Sequence, residues 1–230
     1  MRTIIVLIVA AALLTVCALG YAADIVTMPT ANQLKAGQVD VAYYFINLDL
    51  PPQAPQFLHA QTVYVGVTDE LELDFHRYDP EASKDMTWVS VNASLAIQRE
   101  TVTKPDIVIG GRNIFGDQTT LGPAAPANKR SYFLCFAKTL NLPPAGPPKP
   151  PFVRLHLSAG TDDPSILGED RHGGLFGGIQ ALLTPEIGAI ALHDGQDAIL
   201  GITYTPVRSH YTIKGGTFGK HWWLGLSYAR

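Results

Sequence analysis

The sequence predicts an all-β protein: a closed, antiparallel, up-and-down transmembrane β-barrel of about twelve strands (ten is the smaller alternative), behind an N-terminal signal peptide. Three observations lead there. Short segments alternate between large apolar and small or polar side chains; turn residues end each of them; and the first connections alternate in length. The last segment shows the alternation best. One parity carries Trp222, Leu224, Leu226 and Tyr228, and the other carries Trp223, Gly225, Ser227 and Ala229. Successive side chains of a strand point to opposite faces, so one face is bulky and apolar and the other mostly small. That pattern fits lipid outside and a crowded interior within.

The chain opens with Arg2 as a positive n-region, an apolar run from Ile4 to Leu19, and the small residues Gly20 and Ala22 around Tyr21. This is signal-peptide grammar, with cleavage expected after Ala22 and Ala23 as the neighbouring choice. A retained anchor is the competing reading. Val16 stands where a lipoprotein signal needs a small residue before Cys17, so lipidation is not expected. The expected organisation is a signal peptide over 1–22, a periplasmic or lumen segment over 23–36, and a barrel over 37–230.

Twelve strands are expected at 37–47, 57–67, 70–78, 87–98, 105–114, 131–140, 152–160, 173–183, 187–193, 197–205, 210–217 and 221–229. Each is bounded by Gly, Pro, Asn, Asp or Ser clusters. Leu71, Leu73 and Phe75 oppose Glu70, Glu72, Asp74 and His76. Val89, Val91, Ala93, Leu95 and Ile97 oppose Ser90, Asn92, Ser94 and Gln98. Val153, Leu155, Leu157 and Ala159 oppose Arg154, His156 and Ser158. A soluble sandwich of antiparallel sheets also alternates, so it stays as the alternative fold. The connections 48–56, 79–86, 115–130 and 161–172 are long, whereas 68–69, 100–104 and 184–186 are short. Outer-membrane barrels have short periplasmic turns and longer outer loops. The Pro-rich stretch 141–151 and the tight Asp194-Gly195 turn depart from that scheme. The prolines of 143–148 favour a stiff extended loop.

Charged residues make up 16% of the chain and the net charge is −3. No basic block is present, which argues against nucleic acid as a partner. If Cys17 leaves with the signal, Cys135 stays alone, and its parity mates Phe133 and Ala137 make it a packed small hydrophobe. Phosphate-loop, nucleophile-elbow and metal-spaced Cys/His motifs are absent, so no cofactor, metal or enzymatic activity is expected. Gly173–Gly178 lacks the lysine of a phosphate loop and is expected to allow close packing or strand bending. The carboxylates Asp162, Asp163, Glu169 and Asp170 form a solvated acidic loop, with calcium as the lesser reading. The inward parities bring Glu70, Glu72, Asp74, Arg112, Arg154 and Lys214 into the lumen. Buried charges must be paired, so a charge network is expected, with at least one of Glu72 and Asp74 touching one of the three bases. The pair His156 and Ser158 on one strand face is similar to the His-x-Ser pair of outer-membrane lipid A deacylases. Here Arg154 replaces the aromatic and no Asn follows Ser158.

The segment Ile25-Val26-Thr27-Met28-Pro29-Thr30-Ala31, with Gly37 and Tyr43-Tyr44 after it, resembles the opening of YjbH-like outer-membrane proteins. Val65–Leu73, Phe176-Gly177-Gly178, His193–Asp197 and Leu200–Tyr204 resemble further patterns of that family. Full-length members are much longer, so the resemblance implies a compact relative. Two departures stand out: an acidic residue is common where His193 stands, and Arg230 follows the final aromatic, Tyr228. The resemblance implies a Gram-negative outer-membrane barrel in exopolysaccharide export or assembly. Its partners would be outer-membrane lipids, the barrel assembly machinery, and exopolysaccharide or its export proteins. A narrow pore, a secreted or periplasmic β-sandwich binding module, and a lipid A-modifying enzyme are the other functions weighed.

Overall fold

The computed structural model describes residues 28–48, 57–81, 87–115, 130–141, 152–161 and 171–230. The expected signal peptide, the Pro-rich stretch 142–151 and the acidic residues 162–170 lie outside the described residues. Twelve strands form: β1 (Val39–Asn47), β2 (Phe57–Gly66), β3 (Leu71–Pro80), β4 (Trp88–Gln98), β5 (Asp106–Arg112), β6 (Ser131–Asn141), β7 (Phe152–Gly160), β8 (Gly174–Leu182), β9 (Ile187–His193), β10 (Ala198–Tyr204), β11 (Tyr211–Phe218) and β12 (His221–Ala229). Each pairs antiparallel with its chain neighbour, and β1 pairs with β12, so the sheet is a closed up-and-down barrel. At the seam, the N–H of Val39 donates to the carbonyl of Arg230 and the N–H of Arg230 donates back, each at 2.8 Å. The closed ring excludes the sandwich.

Alternation decides which way each strand faces. Trp222, Leu224 and Leu226 are exposed on the outer wall, while Trp223 and Ser227 are buried inside. The same holds for Leu95 and Ile97 against Ser90, Asn92 and Ser94 on β4, and for Leu155 and Leu157 against His156 and Ser158 on β7. The outer wall also carries two groups of aromatics. Phe45, Phe57 and Trp222 stack at the end where the long loops lie, the loop end. Tyr204 closes β10 at the opposite, turn end, where Tyr211 and Tyr228 pack at 5.0 Å between ring centroids.

Among the strand starts that differ from expectation, two have a clear local cause. Thr68 Oγ1 accepts from the N–H groups of Glu70 and Leu71. This side chain-capped turn holds Glu70 out of β3. Gly37 (φ 79°) sits in the turn that leads the chain into β1, which begins at Val39. A register shift at Ala96–Gln98 places a bulge between β4 and β5.

The lumen is not empty. Residues 28–36 run through it from one end to the other. Met28 packs with Ile46, Leu48, Leu58, Ile199 and Phe218, all at the loop end. Ala31 packs with Ala96, Val108, Cys135 and Ala137 on β4, β5 and β6. Leu34 packs on Tyr64. At the turn end the N–H of Ala36 donates to Asp69 Oδ1 at 3.1 Å, and the N–H of Gly37 to the carbonyl of Gly66 at 2.8 Å. Twelve strands enclose more space than side chains of an eight-stranded barrel would fill. Here the chain's own N-terminal stretch, with Tyr44, Tyr64, Tyr78 and Trp223, occupies it.

The glycine-rich start of β8 permits a close approach of its neighbours. Gly177 and Gly178 have φ of 150° and 151°. A Cβ on Gly177 would lie 2.3 Å from the His156 carbonyl oxygen, and one on Gly178 2.3 Å from that of Ala191. Gly178→Ala should therefore destabilise the barrel by about 1–3 kcal/mol, the usual range for a side chain forced into such backbone. Urea unfolding followed by tryptophan fluorescence measures it, and an unchanged midpoint would show that β8 relaxes freely.

Candidate functional site: the lumen

Polar and charged side chains gather in three groups along the inside of the barrel. The middle group is built on β3 and β4, whose inward parities carry Glu72, Asp74, His76 and Ser90, Asn92, Ser94. Asp74 lies 2.8 Å from His76 Nε2 and accepts a hydrogen bond from Asn92 Nδ2. Asn92 Oδ1 in turn accepts from Ser90 Oγ and from the N–H of Asn113. His76 Nδ1 and Tyr78 Oη are 2.9 Å apart. Glu72 accepts from the N–H of Leu34 at 2.8 Å, and Ser94 Oγ accepts from Gln33 Nε2 at 2.7 Å. A cavity of ≈ 10 Å³, about the size that holds one water, is lined by Thr30, Asn32, Glu72, Asp74, Asn92 and Arg112, among others.

The second group sits at the turn end. Arg154 binds Glu100 and Asp106, each at 2.5 Å. Lys138 Nζ lies 3.2 Å from Glu100. The N–H and hydroxyl of Thr139 both donate to Glu100, at 2.6 and 2.8 Å. Burial pushes the Glu100 carboxyl up, but the hydrogen bonds from Thr139 and Lys138 and the charge of Arg154 outweigh it and hold it below its ordinary value.

The third group closes the loop end. Arg171 is 2% exposed and binds Asp194 at 2.5 Å and Asp197 at 2.9 Å. Its guanidinium lies over the Phe218 ring, 5.3 Å from the centroid. Asp194 Oδ1 accepts from the N–H groups of Gln196 and Asp197, which folds the tight β9–β10 turn around it. Burial acts to raise the Asp194 carboxyl. The two backbone hydrogen bonds and Arg171 overcome it and leave the group below its ordinary value. For Arg171, burial acts to lower the guanidinium; Asp194 and Asp197 outweigh it and raise it further.

Of the six charges expected in the lumen, five point inward and are buried or nearly so: Glu72, Asp74, Arg112, Arg154 and Lys214. Glu70 is corrected: it is exposed in the β2–β3 turn, where Thr68 Oγ1 donates to it. Two of the bases take partners outside the expected set. Arg154 takes Glu100 and Asp106 rather than Glu72 or Asp74. Lys214 donates to Tyr44 Oη at 3.4 Å and faces Asp40 electrostatically. Arg112 shares the central cavity with Glu72 and Asp74. Sequence reading missed Asp40, Glu100, Asp106, Arg171, Asp194 and Asp197. Alternation on β1 could have found Asp40, which shares its parity with Tyr44 and Ile46. The others stand in turns or at strand ends, where parity gives no direction. His156 and Ser158 do share a face, and it is the inner one. The imidazole neighbours Gln180 and Arg154 rather than a carboxylate.

Breaking one side of the Arg171 cluster strands a buried charge, which typically costs about 3–5 kcal/mol. Arg171→Leu should cost that much in urea unfolding, and adding Asp194→Asn should recover part of it. Loss of under about 0.5 kcal/mol in the single variant would show the pair to be solvated. Because the folded Asp194 carboxyl lies below its ordinary value of 3.8, its contribution is fully present above that pH. It is lost as pH falls through the folded value. Acid destabilisation below that pH should therefore be weaker in Asp194→Asn than in the parent chain.

Compared with known proteins, the chain matches no family model and no curated protein.

Proposed function

We propose that this chain is a non-enzymatic outer-membrane β-barrel of a Gram-negative bacterium, serving exopolysaccharide export or assembly in the envelope. One observation carries the membrane part of the reading. The exposed wall of a closed barrel is made of Val, Leu, Ile and aromatic side chains, including Leu95, Ile97, Leu157, Leu200, Ile202, Leu224 and Leu226. Most charged and amide side chains of the strands turn inward; Gln61 on β2 and Arg77 on β3, opposite each other, are exposed. A water-soluble barrel has the reverse economy, since exposed apolar patches of this extent drive association. Aromatics at both rims, Trp222 with Phe45 and Phe57 at one and Tyr204, Tyr211 and Tyr228 at the other, fit the two girdles of such a barrel.

The exopolysaccharide part rests on the resemblance of residues 25–31 and the later segments to YjbH-like proteins. Deleting the gene and quantifying surface polysaccharide tests it; an unchanged yield and composition sinks it. The lipid A-modifying alternative loses ground on geometry. The His156–Ser158 pair is inside, and its imidazole neighbours Gln180 and Arg154 rather than the orienting acid that activation of a serine needs.

After cell breakage the protein should sediment with outer membranes, resist alkaline washing, and change gel mobility on heating. Recovery in the soluble periplasm would exclude the reading. Depth gives a sharper test. Leu224→Arg and Val91→Arg, at mid-wall, should each cost about 2–4 kcal/mol of folding into bilayers, whereas Thr217→Arg at the loop rim should cost about 0–1 kcal/mol. Equal costs at the three positions would mean that the wall does not face lipid.

A further inference from the structure

The stretch Met28–Ala36 fills the lumen without being part of its wall. From Pro29 to Lys35 it makes no β-ladder. It is held by separate polar contacts to strands around the ring: Asn32 Nδ2 to Gln180 Oε1 at 3.2 Å, Gln33 Nε2 to Ser94 Oγ at 2.7 Å, and the Leu34 N–H to Glu72 Oε2 at 2.8 Å. On the wall, both carboxylate oxygens of Asp40 and the hydroxyls of Thr62 and Ser158 are buried without a hydrogen bond from the protein, and so is the amide oxygen of Gln33 on the stretch itself. Groups of this kind take water as their partner wherever the lumen is hydrated. Glu72, Asp74, Asn92, Ser94 and Arg112 line a small cavity between stretch and wall. Pro29 and Phe133 also belong to that lining, and its polar part carries both signs of charge.

We propose that Met28–Ala36 is a displaceable plug, and that the path it vacates is a narrow pore for small hydrophilic solutes. This rests on the membrane-barrel reading above. The plug lies N-terminal to β1, so it can leave the lumen with no strand unpaired. The contact to Glu72 is its charge-assisted hold, and Gly66 lies directly against it. A Cβ on Gly66 would lie 2.0 Å from the Lys35 carbonyl oxygen. A side chain there is a wedge against the plug from within the barrel wall.

The test uses the full chain and three variants: Gly66→Val, Glu72→Ala, and deletion of residues 28–36. Each is reconstituted in planar bilayers of outer-membrane-like lipid with potassium chloride as the permeant probe. A second readout is the rate at which a water-soluble maleimide labels Thr30→Cys in a Cys135→Ala background. Thr30 is buried while the plug is seated. The parent should be mostly silent. The deletion should conduct continuously. Losing a hydrogen bond to a charged acceptor shifts a two-state equilibrium about tenfold or more. Glu72→Ala should therefore raise open probability and labelling rate by about that factor, and Gly66→Val should raise both.

Variants that insert and show heat-modifiable mobility, yet carry no current and leave the introduced thiol unlabelled, overturn the plug and leave the barrel reading intact. Failure of all three variants to fold also overturns it, because a stretch needed for folding is not displaceable. Failure of the deletion alone leaves the decision to current and labelling in the two point variants. A parent chain that never inserts into bilayers refutes the membrane reading instead.

Discussion

The seam between β1 and β12 is what the rest of the molecule depends on. An open sheet of this length would present two rows of unpaired N–H and carbonyl groups. In lipid such groups have no partner, and in water they recruit other chains. The reciprocal bonds of Val39 and Arg230, and the register from Asp40 with Ala229 to Ile46 with Trp223, remove both rows together. Once the ring is closed, alternation stops being a local habit and becomes a global sorting. Every second side chain must find room inside, and every other one must be content outside.

The interior then has to be filled, and this chain fills it in layers. Apolar side chains around Met28 crowd the loop end, and a polar middle surrounds Asp74 and Asn92. Arg154 with its two acids braces the turn end. The Arg154 and Arg171 guanidiniums each serve two carboxylates, a fork geometry that lysine cannot reproduce. That fits the use of arginine in the tightest lumen pairs, while Lys214 adds a contact to the Tyr44 hydroxyl and ring.

Twelve strands were legible because both signals that define them are short-range. Period-two alternation and turn residues act within a few positions, and on β4, β7 and β12 they agree. What was not legible depends on register. Whether Arg154 meets Glu72 or Glu100 is decided by how β3 to β7 are staggered around the ring, and no single strand records that. Glu70 illustrates the same limit at a strand end, where one threonine hydroxyl moved it from wall to turn. Whether residues 28–36 lie in the lumen or in the periplasm was left open by the sequence for another reason. Pro29, Ala31 and Gln33 show neither helical nor strand periodicity, because the stretch touches the barrel on all sides and has no single face.

A chain that passes through its own ring has ends that are not interchangeable. Arg230 lies at the mouth where β1 starts, and Met28 lies at the opposite mouth. A bulky folded passenger attached ahead of residue 28 could not be drawn through afterwards. It would have to be on the far side before the ring shut, or it would hold the ring ajar. The same passenger joined after Arg230 meets no such barrier. Synthesis delivers the N-terminal stretch first and the closing strand last, so the ring is completed around a thread already made.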